Sequence, residues 1–265
     1  MLMSDSPVIQ VKNATVYLGG KVILKDINWQ LKAGAHHFIL GANGAGKTTL
    51  VKMLMGYAWP LYGAQIQVLG HTYGQVNLAE LRKQIAWVSP FMQQWTSPDW
   101  TALEMVISGL DGTLGLFRKF TDEEEAAALQ VLSQLDAVKL RDRKLHNLSS
   151  GEQVKVLIAR SLMTAPRLMI LDEASVYLDI TSREYLLNNI EAMARTIPGL
   201  TILFITQRIE DITPVFTRGM ILSHGQIVAE GERDEVLTEK NLADAFNLNI
   251  KLVRNAAGRF WPIIE

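Results

Sequence analysis

Gly41-Ala42-Asn43-Gly44-Ala45-Gly46-Lys47-Thr48 constrains this chain more than any other stretch. It fits G-x-x-x-x-G-K-[ST], the P-loop. A compact apolar run, His36 to Leu40, precedes it, and residues with helical spacing, Lys47 to Gly56, follow it. Strand, glycine-rich turn and helix in that order turn backbone N–H groups inward around phosphate oxygens. The helix aims its positive end at the anion. In such a loop the lysine, Lys47, reaches the β- and γ-phosphates, and the Thr48 hydroxyl ligates Mg2+. The candidate nucleotide contacts are Gly41, Asn43, Gly44, Ala45, Gly46, Lys47, Thr48 and Thr49.

Around this loop the chain alternates strand and helix. VIQVKNATVYL and VILKDINWQL alternate about an LGGK turn and read as two or three short strands. GAQIQVLG, IAWVS, RLMILD and TILFIT read as further strands, with short helices at LAELRKQ and near Ser182 to Ala194. GMILSHGQIVAEG is a hairpin across His224-Gly225, and residues 250–264 carry another. From Phe91 to Met163 the pattern is helical throughout, and Thr121 before three acids is a good helix cap. LFITQRIEDI, Leu203 to Ile212, reads as an apolar strand, a tip at Thr206-Gln207 and the start of a helix. The expectation is a largely parallel α/β core interrupted by a helical insertion.

The chain has 265 residues, enough for one large domain or a domain plus subdomain. A net charge of −1 gives no basic surface to favour nucleic acid or anionic lipid. With no cysteine there is no disulfide framework and no thiolate chemistry. MLMSDSPVIQ lacks the features of a signal peptide, and no apolar run approaches the ~20 residues a membrane helix needs, so another chain must anchor this one at any membrane. His36, His37, His71, His146 and His224 show no metal-ligand spacing, and His36-His37 read as structural.

Two further motifs carry chemistry. LMILDE, Leu168 to Glu173, is an apolar strand ending in two acids. Beside a P-loop, Asp172 holds the Mg2+ shell as a Walker-B aspartate does, and Glu173 polarises the attacking water. NLSSGEQ, Asn147 to Gln153, opens a helix: Ser149 or Ser150 caps it and Glu152 completes a partial capping box.

The P-loop, then LSSGEQ at the head of a helix, then LMILDE, together resemble the ABC ATPase nucleotide-binding domain over nearly the whole chain. LSSGEQ looks like that family's LSGGQ signature, with Ser150 and Glu152 as departures. The resemblance implies a RecA-like P-loop NTPase core (residues 6–90 and 164–248) with an N-terminal antiparallel β subdomain. It also implies a helical subdomain (91–163) and a C-terminal hairpin or tail (249–265). Tyr17 matches the aromatic that stacks on adenine, and Leu178-Asp179 match the D-loop. Ser149 and Gly151 match contacts to the γ-phosphate held by the opposite monomer, with Ser150 and Glu152 in the same segment. The implied unit is a head-to-tail homodimer sandwiching two ATPs with Mg2+, cytoplasmic, and held at the inner membrane by a separate permease.

Two positions depart from the family pattern. Pro90 stands where the Q-loop glutamine belongs, which leaves Gln93, in preference to Gln94, as the metal-shell candidate. Gln207 stands at the switch histidine. An amide donates one uncharged hydrogen bond, so a slow ATPase is expected. Of Phe91, Met92, Trp95, Trp100, Phe117 and Phe120, most are expected in the core and one or two exposed for the permease. VSPFMQ and IEDITPVF look similar to stand-alone bacterial ABC ATPases, uncharacterised or associated with molybdate uptake. The competing classes are a soluble ABC ATPase with another partner and a P-loop kinase, which would leave LSSGEQ unexplained.

Overall fold

A computed structural model describes residues 7–89, 92, 97–112 and 114–265. The two or three short strands expected at the N-terminus are two of 12 residues each, β1 (Pro7–Leu18) and β2 (Lys21–Lys32). They pair antiparallel through Gly19-Gly20, both at positive φ. β4 (Gln65–Val68) and β5 (His71–Thr72) extend them into a four-stranded sheet of order β2-β1-β4-β5. β3 (His37–Leu40), β6 (Ile85–Val88), β7 (Leu168–Asp172), β8 (Thr201–Thr206), β9 (Arg218–Ser223) and β10 (Gln226–Glu232) form the second sheet. Its order is β10-β9-β3-β8-β7-β6, parallel except for the β9–β10 hairpin.

The central strands β3, β7 and β8 are buried at every position and largely apolar, because both faces are covered. Phe38, Leu40, Met169, Leu171, Ile202 and Phe204 face one core. That core is shared with the helices α3 (Ala102–Ile107), α4 (Asp122–Gln134), α5 (Ser150–Leu162) and α6 (Ile180–Thr196). Ile39, Leu168, Ile170, Leu203 and Ile205 face the other, against α1 (Lys47–Leu54), α2 (Leu78–Arg82) and the antiparallel sheet. Gly219 lets Phe38 lie flat on β9, since a Cβ there would stand 2.4 Å from its ring.

Among the described residues of the insertion the three expected helices are present as α3, α4 and α5, joined by turns and irregular chain in place of helix throughout, with capping boxes at Thr121/Glu124 and also at Thr101/Glu104. Among the bulky side chains expected there, Met92 is buried and Trp100 and Phe120 pack on the core, while Phe117 is exposed. Phe91, Trp95, Gln93 and Gln94 lie outside the described residues. Two short helices were not expected from the sequence, α7 (Arg233–Val236) and α8 (Glu239–Phe246). The expected tail hairpin is β11 (Ile250–Arg254) with β12 (Phe260–Ile264).

Both histidines of the pair are structural. His36 bonds the Ala194 carbonyl and the Ile202 N–H, whereas His37 is buried with neither ring nitrogen partnered among the described residues. Burial, with Arg218 beside it, pushes the His37 pKa down to about 4, from 6.5. The folded chain therefore favours the neutral ring. The stability this contributes is present above the unfolded pKa and is lost as pH falls from 6.5 towards 4, reaching about 3 kcal/mol. Thermal melting compared at pH 7 and pH 5 is expected to drop less for His37→Phe than for the parent chain; an equal drop in both contradicts this assignment.

Candidate nucleotide site

Three strand ends converge at the carboxyl edge of the parallel sheet, the place where such sheets bind ligands. β3 runs in register with β8, Leu40 opposite Thr206, and the Gly41 N–H donates to the Thr206 carbonyl at 3.3 Å. β7 also pairs with β8, Asp172 opposite Ile205, and the Glu173 N–H donates to the Ile205 carbonyl at 2.9 Å. The P-loop, the two acids and Gln207 thus leave neighbouring strands side by side.

The P-loop needs its glycines. Gly44 and Gly46 have φ of 79° and 103°, and a Cβ on Gly46 would meet Leu24 at 2.9 Å. α1 then starts at Lys47 without a side-chain cap, so its first-turn N–H groups stay open for an anion. The turn at His224-Gly225 clasps the loop from behind. The Gly225 N–H donates to the Ala45 carbonyl at 3.0 Å and its carbonyl accepts from the Lys25 N–H at 2.8 Å. A Cβ on Gly225 would lie 2.2 Å from the Ile23 carbonyl, so the clasp also requires glycine. Sequence reasoning placed this hairpin but not its contact with the loop.

Lys47 is buried. Its ammonium donates to the Gly41 and Ala42 carbonyls at 2.8 and 2.9 Å and stands 3.0 Å from Glu173 Oε1, which uses all three of its donors. Glu173 has a positive φ of 55°, strained for a residue with a Cβ, and this turns it off the strand towards Lys47. Asp172 is 1% exposed and, among the described residues, neither carboxylate oxygen has a hydrogen-bond partner; the indole N–H of Trp87 faces it without completing a bond of ordinary geometry. Burial, with Glu173 beside it, pushes its pKa up to about 7. A buried, orphaned carboxylate next to an open P-loop fits a divalent cation, which would repay its desolvation. Thr48 and Thr49, in the first turn of α1, are half-buried.

Thr206 is buried, while Gln207 is half-buried and, among the described residues, its side chain makes no hydrogen bond. The helix expected after it is a single 3-10 turn, Ile209–Asp211. Pro214 stops it, since the residue before a proline avoids helical geometry and proline has no N–H to donate.

Tyr17 is half-exposed, opposite Val22 at the turn end of β1–β2, on the same hairpin that touches Gly46. Ser149, not Ser150, caps α5, in a complete box: its hydroxyl accepts from the Glu152 N–H at 3.3 Å and its own N–H donates to Glu152 at 2.9 Å. Glu152 also pairs with Arg143 at 2.9 Å. Asp179 caps α6 through the Ser182 N–H at 2.7 Å. The two helix starts touch, since a Cβ on Gly151 would fall 2.7 Å from the Ser182 hydroxyl. Among the described residues no hydrogen bond or ion pair joins residues 149–152 to the P-loop.

Residues 24–176 match the family described as ABC transporter. The uncharacterised ABC transporter ATP-binding protein YlmA of Bacillus subtilis is 38% identical over 94% of this chain and 94% of its own. YmeB of Lactococcus lactis, also an uncharacterised ABC transporter ATP-binding protein, is 34% identical over 93% of this chain and 95% of its own. Among solved structures, cbiO1 from Clostridium perfringens, part of the ABC transporter complex cbiONQ, has a TM-score of 0.77 at 24% identity, covering 91% of this chain and 94% of its own. The dimeric bacterial ABC transporter cassette MJ0796 has a TM-score of 0.72 at 24% identity, covering 84% and 98%. Fold, P-loop geometry and near full-length likeness lead to one assignment: the chain belongs to the ABC transporter family, as an ATP-binding and ATP-hydrolysing cassette.

Proposed function

We propose that this chain hydrolyses ATP in a head-to-tail pair with a second copy and drives a separately encoded permease. The pair would work at the cytoplasmic face of the inner membrane. The observation that carries the reading is the contact of Lys47 with Glu173 at 3.0 Å, where the P-loop meets the strand tip bearing both acids. Among the described residues no helix is long and apolar enough to cross a membrane, so the permease would supply the membrane path. The exposed Ser149–Ser150 segment, which among the described residues makes no hydrogen bond or ion pair to its own P-loop, suits a site completed by the partner copy. In this reading residues 6–90 and 164–248 are the nucleotide-binding core, 91–163 the helical arm and 249–265 an appended hairpin.

Bound ATP with Mg2+ supplies the electrophilic γ-phosphorus and the leaving group. Gly44, Gly46 and the first-turn amides of α1 would hold the phosphates, with Lys47 turning from Glu173 to their oxygens. Thr48 and Asp172 would hold the cation, and Tyr17 would stack on the base. Glu173 orients a water and accepts its proton as the water oxygen bonds phosphorus and the bridging bond to ADP breaks. Gln207 would donate to a γ-phosphate oxygen. Lacking the charge a histidine could bring, this contact costs about 1 kcal/mol of transition-state stabilisation, or several-fold in rate.

The Gln207 series tests this directly. Gln207→His is expected to raise hydrolysis several-fold at saturating ATP near neutral pH, and Gln207→Ala to lower it. ADP affinity should barely move in either, since ADP has no γ-phosphate. Equal turnover for Gln, His and Ala would mean that the residue does not touch the phosphate.

A further inference from the structure

The main chain after Gln207 is gripped from two sides. On the inner side Asp211 is fully buried. Its Oδ2 accepts from the Ser175 hydroxyl at 2.6 Å, and Arg183 Nε stands 3.6 Å from Oδ1. Ser175 lies two residues beyond Glu173. On the outer side stands Arg259, in the turn between β11 and β12. Its Nε and Nη2 both donate to the Glu210 carbonyl, at 3.1 and 2.6 Å. Its Nη1 and Nη2 also fork onto Glu184 of α6, at 2.5 and 3.0 Å. The guanidinium lies 4.9 Å from the Trp261 ring and is 13% exposed. An arginine committed at once to a carboxylate and to a main-chain carbonyl, with an aromatic beside it, is a rigid brace. The Gln207 amide has no intramolecular partner among the described residues, so its direction is set by the main chain that carries it.

We propose that the C-terminal hairpin positions the loop of Gln207, with Arg259 as the positioning residue. By holding the Glu210 carbonyl, Arg259 fixes the backbone three residues beyond Gln207 and aims its amide. The Asp211–Ser175 bond ties the same turn to the segment that follows Glu173, so the hairpin, the amide and the carboxylate move as one unit. This rests on the reading of Gln207 as a γ-phosphate contact and adds what aims it.

The test is a double-mutant cycle in the full chain, with Gln207→Ala, Arg259→Lys, Arg259→Ala and the paired variants. Arg259→Lys keeps the charge and loses the fork, and it carries the test if Arg259→Ala fails to fold. Both Arg259 variants are expected to lower kcat roughly three- to tenfold, the scale for a slightly misaimed donor. KM for ATP and ADP affinity should stay within about twofold, because the displaced contact belongs to the γ-phosphate in the transition state. In the Gln207→Ala background the Arg259 effect should vanish. If Gln207→Ala lowers kcat while Arg259 variants leave it unchanged, or lower it equally in both backgrounds, the hairpin does not act through Gln207 and the inference falls alone. If Gln207→Ala turns over like the parent chain, the phosphate-contact reading itself fails and the inference falls with it.

Discussion

Glu173→Gln is expected to bind ATP and almost cease to hydrolyse it. The substitution keeps size and shape, and the Glu173 N–H bond to the Ile205 carbonyl does not involve the side chain, so the strained backbone at φ 55° can stay in place. The Lys47 contact, 3.0 Å in the native chain, changes from an ion pair to a hydrogen bond from the ammonium to an uncharged amide oxygen, and Lys47 keeps Gly41 and Ala42. What disappears is an acceptor for the proton of the attacking water, a change on the order of 10²–10⁴-fold in rate. Because bound ATP would then persist, the two-copy form should accumulate and appear on size-exclusion chromatography with ATP and not with ADP. A variant with parental turnover would move the general base to another residue.

Lys47→Ala is expected to lose most of its ATP affinity at low micromolar concentrations while remaining folded. A buried ammonium carries three donors, all used here on groups of the site itself: the Gly41 and Ala42 carbonyls and Glu173. The ammonium lies outside the two apolar clusters that hold the sheet, so its loss affects the site more than the core. One charge-assisted contact to phosphate is worth about 1.5–3 kcal/mol, an order of magnitude or more in affinity. Isothermal titration with ATP, paired with thermal melting, separates the effects. Parental affinity in the variant would refute the role given to Lys47.

Much of this site was legible because its signals are local. An apolar run followed by glycines and Lys-Thr, or by two acids, needs no distant residue to be understood, and both segments lie at strand ends, those of β3 and β7, which flank β8. Capping is local too: Ser149/Glu152 and Thr121/Glu124 announce helix starts through spacing alone. Thr101 and Glu104 carry the same spacing and mark the start of α3. The helix α8 was missed although Thr238 caps it through the Asn241 N–H, because eight residues carry too few apolar positions to set a period.

The contacts that sequence could not disclose are long-range. Ser175 meets Asp211 across 36 residues, and Arg259 meets Glu184 across 75. Neither pairing leaves a periodic trace, because each is created by the sheet order and not by neighbouring residues. The clasp of Gly225 on Ala45 is of the same kind: the hairpin was readable, its docking onto the P-loop was not. Gln207 lies between the two cases. Its place at a strand tip is visible in the sequence, whereas the lack of an intramolecular partner for its amide among the described residues emerges only with the fold.

The central claim is that Lys47, Asp172, Glu173 and Gln207 surround one γ-phosphate and that Ser149 and Gly151 of a second copy close it. A crystal structure of Glu173→Gln with ATP and Mg2+ measures this most directly. In that structure Lys47 Nζ is expected to be released from residue 173 onto phosphate oxygens, the cation to lie between Thr48 and Asp172, and the Gln207 amide to stand about 3 Å from a γ-phosphate oxygen. The partner copy's α5 start is expected to face the same phosphate. A γ-phosphate out of hydrogen-bonding reach of Gln207, or a nucleotide bound with no second copy against it, would contradict the account.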